Sequence, residues 1–262
     1  MEPEKTSAII LRVVDFSETS CVVTLFTRSL GKITALAKGA RRPKGPFESA
    51  IDVLAVCRVV FIHKKTDAMD LLTEAKLDRR FRSGGRDLQR LYSGYYLVEL
   101  LRTLTDESDP HPEVFDSAIE AIDCIDGEAD LAKAVFEFEC GLLQALGHSP
   151  MLTRCVVCGI NKTRIDKVHF GLADGGLLCN DCTRGKSAIK IVRPECLQFL
   201  LDQFGVTLEN PGNPQEEKTP AEQGATAFAD QKGYRESRQL MNQYLNHLVG
   251  HQIRLQKYIE NL

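Results

Sequence analysis

Apolar and polar positions follow two different periods along this chain. Over the first eighty or so residues the apolar positions come in short runs: SAIILRVVDF (7–16), SCVVTLFTR (20–28), KITALAKG (32–39) and VLAVCRVVFIHKK (53–65). These runs are rich in Val, Ile, Thr and Phe, and Ser17-Glu18 and Leu30-Gly31 punctuate them as turns, so they are expected to be strands. MDLLTEAKL (69–77) adds a fifth with a less regular pattern. Five short strands in so short a segment fit a small closed sheet, and the five-stranded OB barrel is the common form at that size.

From about residue 84 the spacing becomes helical. LQRLYSGYYLVELLRTL (88–104) places Leu88, Leu91, Tyr95, Val98 and Leu101 three or four residues apart. After the start signal Asp109-Pro110, the residues Val114, Phe115, Ala118, Ile119 and Ile122 repeat the pattern. ADLAKAVFEFECGLLQALG (129–147) ends at Gly147, and RPECLQFLLDQFG (193–205) opens on a proline and closes on Gly205. A last helix is expected over roughly 234–260, carried by Leu240, Tyr244, Leu245, Leu248, Leu255 and Ile259. Between the last two lies a stretch rich in Gly, Pro, Glu and Gln, read as a flexible insertion over 206–232. The expected fold class is α+β, an N-terminal five-stranded OB barrel followed by a C-terminal helical bundle with an inserted four-cysteine zinc module. The domains then fall at 1–82 for the barrel, 83–150 with 191–262 for the helices, and 151–190 for the zinc module.

Two cysteine pairs carry the strongest chemistry. Cys155 and Cys158, then Cys179 and Cys182, form two C-x₂-C pairs separated by twenty residues, which is a zinc spacing. Asp174-Gly175 between two apolar runs marks a hairpin that would carry the second pair to the first. Four thiolates fill a tetrahedral shell and leave no position for water, so one structural Zn²⁺ is expected. The alternative, thioredoxin-like redox dithiols, does not ordinarily place two pairs around one hairpin. Cys21, Cys57, Cys124, Cys140 and Cys196 are read as small core residues, and His169 as an ordinary hairpin residue.

Composition narrows the class. An apolar fraction of 43% and a charged fraction of 26% are ordinary for a globular chain, and no apolar run is long enough for a membrane span. The acidic N-terminus lacks a basic region followed by an apolar one, so a cytoplasmic chain with reduced thiols is expected. Gly185-Lys186-Ser187 resembles the end of a phosphate-binding loop, but Asn180 stands where that pattern needs glycine. No G-x-S-x-G or H-E-x-x-H is present, and twelve acids against one lysine over 106–139 read as a solvated or docking face. Nothing argues for an enzyme.

Charge points elsewhere. Residues 1–80 carry 14 Lys and Arg against 10 Asp and Glu, whereas the remainder carries 19 against 26. Within the basic part, ALAKGARRPKG (35–45) sets Lys38, Arg41, Arg42 and Lys44 on a loop leaving the third strand. On an OB barrel such a loop grips a nucleic-acid backbone, and Arg12, Arg28 and Lys32 would extend the surface. Phe47, just beyond, either stacks on a base or folds the loop back onto the barrel. Ordinary solubility charge is the bland alternative for the loop.

These residues also carry a family resemblance. FSETSCVVTLFTRSLGKITALAKGARRPK (16–44) resembles the signature of RecO, the bacterial recombination mediators; LYSGYYLVELL (91–101) and FEFECGLLQALGHSPMLTRCVVCG (136–159) are similar to its later segments. LNHLVGHQIRLQKYI (245–259) resembles its last helix, with Arg254 and Lys257 as basic positions, while 48–56 and 206–232 depart from the pattern. The resemblance implies binding to single- and double-stranded DNA, annealing of complementary strands, and action with RecR and single-stranded-DNA-binding protein (SSB) to load RecA. It places Cys155, Cys158, Cys179 and Cys182 on zinc and Lys38, Arg41, Arg42 and Lys44 on DNA, in a cytoplasmic, nucleoid-associated protein. An RNA-binding OB/zinc-ribbon factor of translation or transcription, and a protein adaptor using the acidic helices, are the competing readings.

Overall fold

The five runs form strands β1 (Glu4–Asp15), β2 (Cys21–Thr27), β3 (Gly31–Ala37), β4 (Val56–Ile62) and β5 (Asp70–Arg79). The computed structural model describes residues 3–42, 47, 50–63, 69–85, 87–161, 168–206, 228–260 and 262. The strands close into a barrel in the order β1-β2-β3-β5-β4, antiparallel except for the β3–β5 pair. Strand β1 serves two neighbours: Glu4 to Ile9 pair with β4, and Ala8 to Asp15 pair with β2. A register shift between Ile10 and Arg12 gives it the bend that closure requires. Inside, alanines at 8, 35, 37, 55 and 75 leave room for Phe61 and Phe47. Phe47 is 2% exposed and accepts a backbone hydrogen bond from Ala50, so its ring fills the barrel and is not offered to a base.

By its contacts the chain divides into two units, Met1–Phe138 with Arg254–Asn261, and Glu139–Ile253 with Leu262. In the first unit, helix α1 (Leu88–Leu104) starts on Asp87, whose carboxylate accepts from the Gln89 and Arg90 amides at 2.8 and 3.3 Å. Helix α2 (Pro112–Asp126) opens on a proline and buries Val114, Phe115, Ala118 and Ile122. Phe26, on the outer side of β2, meets Phe115 with ring centroids 6.2 Å apart. Each ring so buried stabilises by about 1.5–3 kcal/mol. Cys124 lies outside the buried stripe of α2 and is exposed, contrary to its expected place in the core; Cys21, Cys57, Cys140 and Cys196 are buried.

The β2–β3 turn is fastened to the end of α1. Lys32 donates from Nζ to the Arg102 carbonyl at 2.8 Å and to the Thr105 carbonyl, and the Ser108 amide donates to the Lys32 carbonyl at 2.9 Å. The cation thus meets carbonyls that the helix itself leaves unpaired. Gly31 has φ +70°, and a Cβ placed on it would lie 2.1 Å from the Asp109 carbonyl oxygen.

In the second unit, helix α3 (Leu131–Ala145) enters from the first and is followed by strands β6 (His169–Gly171), β7 (Gly176–Leu178) and β8 (Ile189–Ile191) in the order β7-β6-β8. Helices α4 (Pro194–Gln203) and α5 (Tyr234–Val249) complete it. Buried Arg238 of α5 donates to Glu139 at 2.6 Å and to Asn242 at 3.0 Å. The helix expected to run to about 260 stops at Val249, because Gly250 adopts φ 73° and caps it. Residues 254–260 belong to the first unit instead: the Arg254 and Leu255 amides donate to Glu99 at 2.9 and 2.8 Å, and Tyr258 stacks on Tyr92 at 4.2 Å. Of the insertion read over 206–232, residues 207–227 lie outside the described residues. Phe228–Asp230 form a 3₁₀ turn, held because Phe228 packs on Phe199 and Tyr234 at 5.5 and 5.3 Å.

Gly31→Ala tests the fastening of barrel to helix. It combines a disfavoured φ with a backbone clash and is expected to cost about 2 kcal/mol or more, read as a lower denaturation midpoint. An unchanged midpoint would contradict the close approach.

Candidate nucleic-acid interface and metal centre

Strand β3 hands the chain directly to the basic turn. Lys38, Arg41 and Arg42 are exposed on a turn closed by the Arg42 amide donating to Gly39 at 3.0 Å. Two bonds tie this turn to the β1–β2 hairpin: the Arg41 amide donates to the Thr19 carbonyl at 3.0 Å, and the Gly39 amide to Ser20 Oγ at 3.3 Å. The cations are therefore held on a defined backbone rather than on a tether. Arg41 pairs with Asp15, and that hydrogen bond holds its guanidinium still more firmly protonated. Both side chains of the pair are more than half exposed, so the ion pair can exchange with an incoming anion. Lys38 and Arg42 have no carboxylate partner among the described residues. Lys44 lies outside the described residues.

Arg28 and Lys32 sit elsewhere. Seven-residue strands β2 and β3 separate the 28–30 turn from the basic turn by about 20 Å. Arg28 is held by Asp116, donating from Nε at 2.9 Å and from Nη2 at 2.8 Å. The pair lifts the arginine's pKa and lowers that of Asp116, in each case first through the hydrogen bond. Lys32 is committed to the end of α1, and burial lowers its pKa despite nearby Glu107 and Asp106. The structure thus groups Lys38, Arg41 and Arg42 and separates Arg28 and Lys32 from them. Sequence pattern does not single out Asp15, the partner of Arg41; its place one residue before the FSETS run is the only signal it gives.

The four cysteines do converge. The Sγ atoms of Cys155, Cys158, Cys179 and Cys182 all lie within 4.8 Å of one another, with Cys158 and Cys179 3.7 Å apart. Tetrahedral coordination at about 2.3 Å per bond sets sulfurs about 3.8 Å apart, so the donor set fits a metal ion. The fold produces this in steps. Met151 and Val156 pair with the hairpin backbone, the Leu177 amide donating to Met151 and the Val156 amide to Leu177, at 2.9 and 2.8 Å. A tight turn brings the Gly159 amide to the Cys155 carbonyl at 2.9 Å, and another the Cys182 amide to the Cys179 carbonyl at 3.1 Å. Asp174-Gly175 makes the turn between β6 and β7, as its sequence suggested, with Gly175 at φ +68°.

The thiols titrate unequally. Burial pushes Cys155 up, but the amides of Cys158, Cys179 and Val157 outweigh it and bring the thiol down to about 6. Cys182 is pushed up to about 12, first by its hydrogen bond to Cys179 and then by burial. Four thiolates this close repel one another, and a divalent cation is what allows all of them to ionise. His169, on β6, lies outside the four-residue cluster. No described helix is long and apolar enough to cross a membrane.

A closed five-stranded barrel with an anchored basic turn, in one chain with a tetracysteine metal-type centre, defines an OB-fold protein with a separate metal module. Residues 1–81 match the family model described as recombination protein O, N terminal, and residues 85–256 match recombination protein O, C terminal. The chain belongs to this family, RecO. It is 43% identical over 263 residues to a protein named DNA repair protein RecO from Rhodopirellula baltica, covering 96% of this chain and 97% of that one. The same name is carried by a relative from Salinibacter ruber, 34% identical across 68% of each chain. A third, from Anaeromyxobacter dehalogenans, is 28% identical across 100% of this chain and 98% of its own.

Purified protein is expected to carry about one divalent ion per chain by elemental analysis. Ligand protonation competes with the metal, so the ion is expected to be retained at neutral pH and released as pH falls. A folded protein free of metal at neutral pH would contradict the site.

Proposed function

We propose that this chain is a non-enzymatic DNA repair and recombination mediator. It binds single- and double-stranded DNA, anneals complementary strands, and with RecR helps load RecA onto DNA coated by SSB, in the cytoplasm at the nucleoid. The observation that carries the reading is the basic turn. Lys38, Arg41 and Arg42 stand on a backbone fixed to the β1–β2 hairpin, at the end of an OB strand and in a member of the RecO family. Lys44 belongs to the same proposed surface by sequence. Arg28 and Lys32, engaged with Asp116 and α1, are assigned to holding the barrel on its helices rather than to DNA.

Annealing requires no covalent step. Base pairing and stacking supply the driving force, about 1.4 kcal/mol per step, and phosphate repulsion opposes the approach of the strands. Cations that neutralise part of one backbone lower that repulsion and leave the bases available to a second strand. Residues 1–82 would do this work. The 151–190 module, with Zn²⁺ on Cys155, Cys158, Cys179 and Cys182, would cross-link a segment too short to hold itself by burial; all four positions of the ion are taken, leaving none for a substrate. Family membership weighs against the RNA-factor reading.

Replacing Lys38, Arg41 and Arg42 with alanine is expected to weaken DNA binding and to reduce the salt slope by about 0.7–0.9 for each phosphate that is no longer neutralised. Arg28→Ala should leave both unchanged. Fluorescence anisotropy titrations across a range of salt check this. A triple variant with wild-type affinity and slope would overturn the assignment, and a competition between DNA and RNA of one sequence reports the preferred polymer.

A further inference from the structure

Phe16 is 66% exposed, the most exposed aromatic ring among the described residues. It stands directly beside the basic turn. Its amide and that of Ser17 donate to the Ser20 carbonyl at 3.0 and 3.1 Å, which fixes the hairpin that the Arg41 and Gly39 amides grip. The preceding residue, Asp15, is the partner of Arg41. Past the bend in β1, Val13 packs toward the barrel interior, so Arg12, Val14 and Phe16 share the outward side. Val14, 40% exposed, is opposite Val22, which is opposite Leu36. An outward apolar row therefore crosses three strands, with Phe16 two residues past its β1 member and Lys38 two residues past its β3 member, at the same end of the hairpin.

We propose that Phe16 is a stacking platform for one unpaired base, so that this surface prefers single-stranded nucleic acid to duplex. The inference rests on the nucleic-acid reading above and adds the ligand class. With Val14 at 40% exposure the ring forms one contiguous apolar patch bordered by cations, and it is such a patch, not a single exposed side chain, that marks a binding surface. An unpaired base supplies a flat apolar face of matching size, and its phosphate reaches the neighbouring cations. A duplex keeps its bases stacked on each other and offers this ring only backbone and groove. Phe47, in the barrel core, cannot serve in its place.

Because the chain contains no tryptophan, Phe16→Trp introduces a sole indole reporter at this position. Its emission is expected to be quenched on titration with a thymidine homopolymer and to change little with a duplex of equal length. Phe16→Ala is expected to weaken binding of the homopolymer by about 5- to 150-fold, the worth of one stacked base, with duplex affinity and salt slope unchanged. Wild-type affinity for single strands in Phe16→Ala, or an unquenched indole at saturation, would overturn the platform while leaving the basic turn standing. Failure of the wild-type chain to bind either polymer would overturn the nucleic-acid reading and the platform with it.

Discussion

The first unit depends on one junction, the docking of the β2–β3 turn against the C-terminal end of α1. A helix end exposes carbonyls that must find donors. Here the ammonium of Lys32 supplies them, while glycine at position 31 lets two backbones approach to a distance no side chain allows. The Phe26–Phe115 contact and the Arg28–Asp116 fork extend the same junction. The barrel is thereby positioned on α1 and α2 by groups that would otherwise add positive charge to its surface.

This sets the polarity of the barrel. Cations at the 28–32 end are engaged by carboxylate and carbonyl groups of the chain itself, Arg28 through an exposed pair and Lys32 at a helix end, whereas Lys38 and Arg42 at the other end carry no carboxylate partner among the described residues. Arg41 stands between the two cases, paired through an exposed contact. The net charge of the first eighty residues counts Arg28 and Lys32, which have partners within the chain, alongside the cations of the basic turn. The cysteine module poses a different problem. Its strands are only three residues long, and four converging sulfurs set out the donors with which a metal ion would tie them together.

Much of this is legible in local pattern. Strands β2 and β3 follow from their Val, Ile, Thr and Phe content between turn signals, and the cysteine centre from two C-x₂-C pairs around a hairpin signal; α1 forms where helical spacing put it, but it buries Tyr96, Leu97, Val98, Leu100 and Leu101, while Leu88 and Tyr95 of the expected stripe are exposed. What escapes is either long-range or a single-residue override. The partners of Arg28 and Lys32 lie 88 and 70 residues away, beyond any periodicity. Leu255 and Ile259 keep helical spacing past the end of α5, yet Gly250 in the left-handed region stops the helix and redirects the chain. Phe47 follows a proline-rich basic loop, and only the volume inside the barrel explains why its ring turns inward. Cys124 misses the buried stripe of α2 because polar and apolar faces meet within one residue there.

Hydrogen exchange of the full chain, with and without saturating single-stranded DNA, tests the division of the barrel into a docking end and a binding end. Slowed exchange is expected for amides in the 16–20 hairpin and the 38–42 turn, where Phe16, Gly39 and Arg41 already donate to carbonyl or hydroxyl oxygens, with 28–32 unchanged. Slowed exchange at 28–32 with none at 38–42 would contradict it.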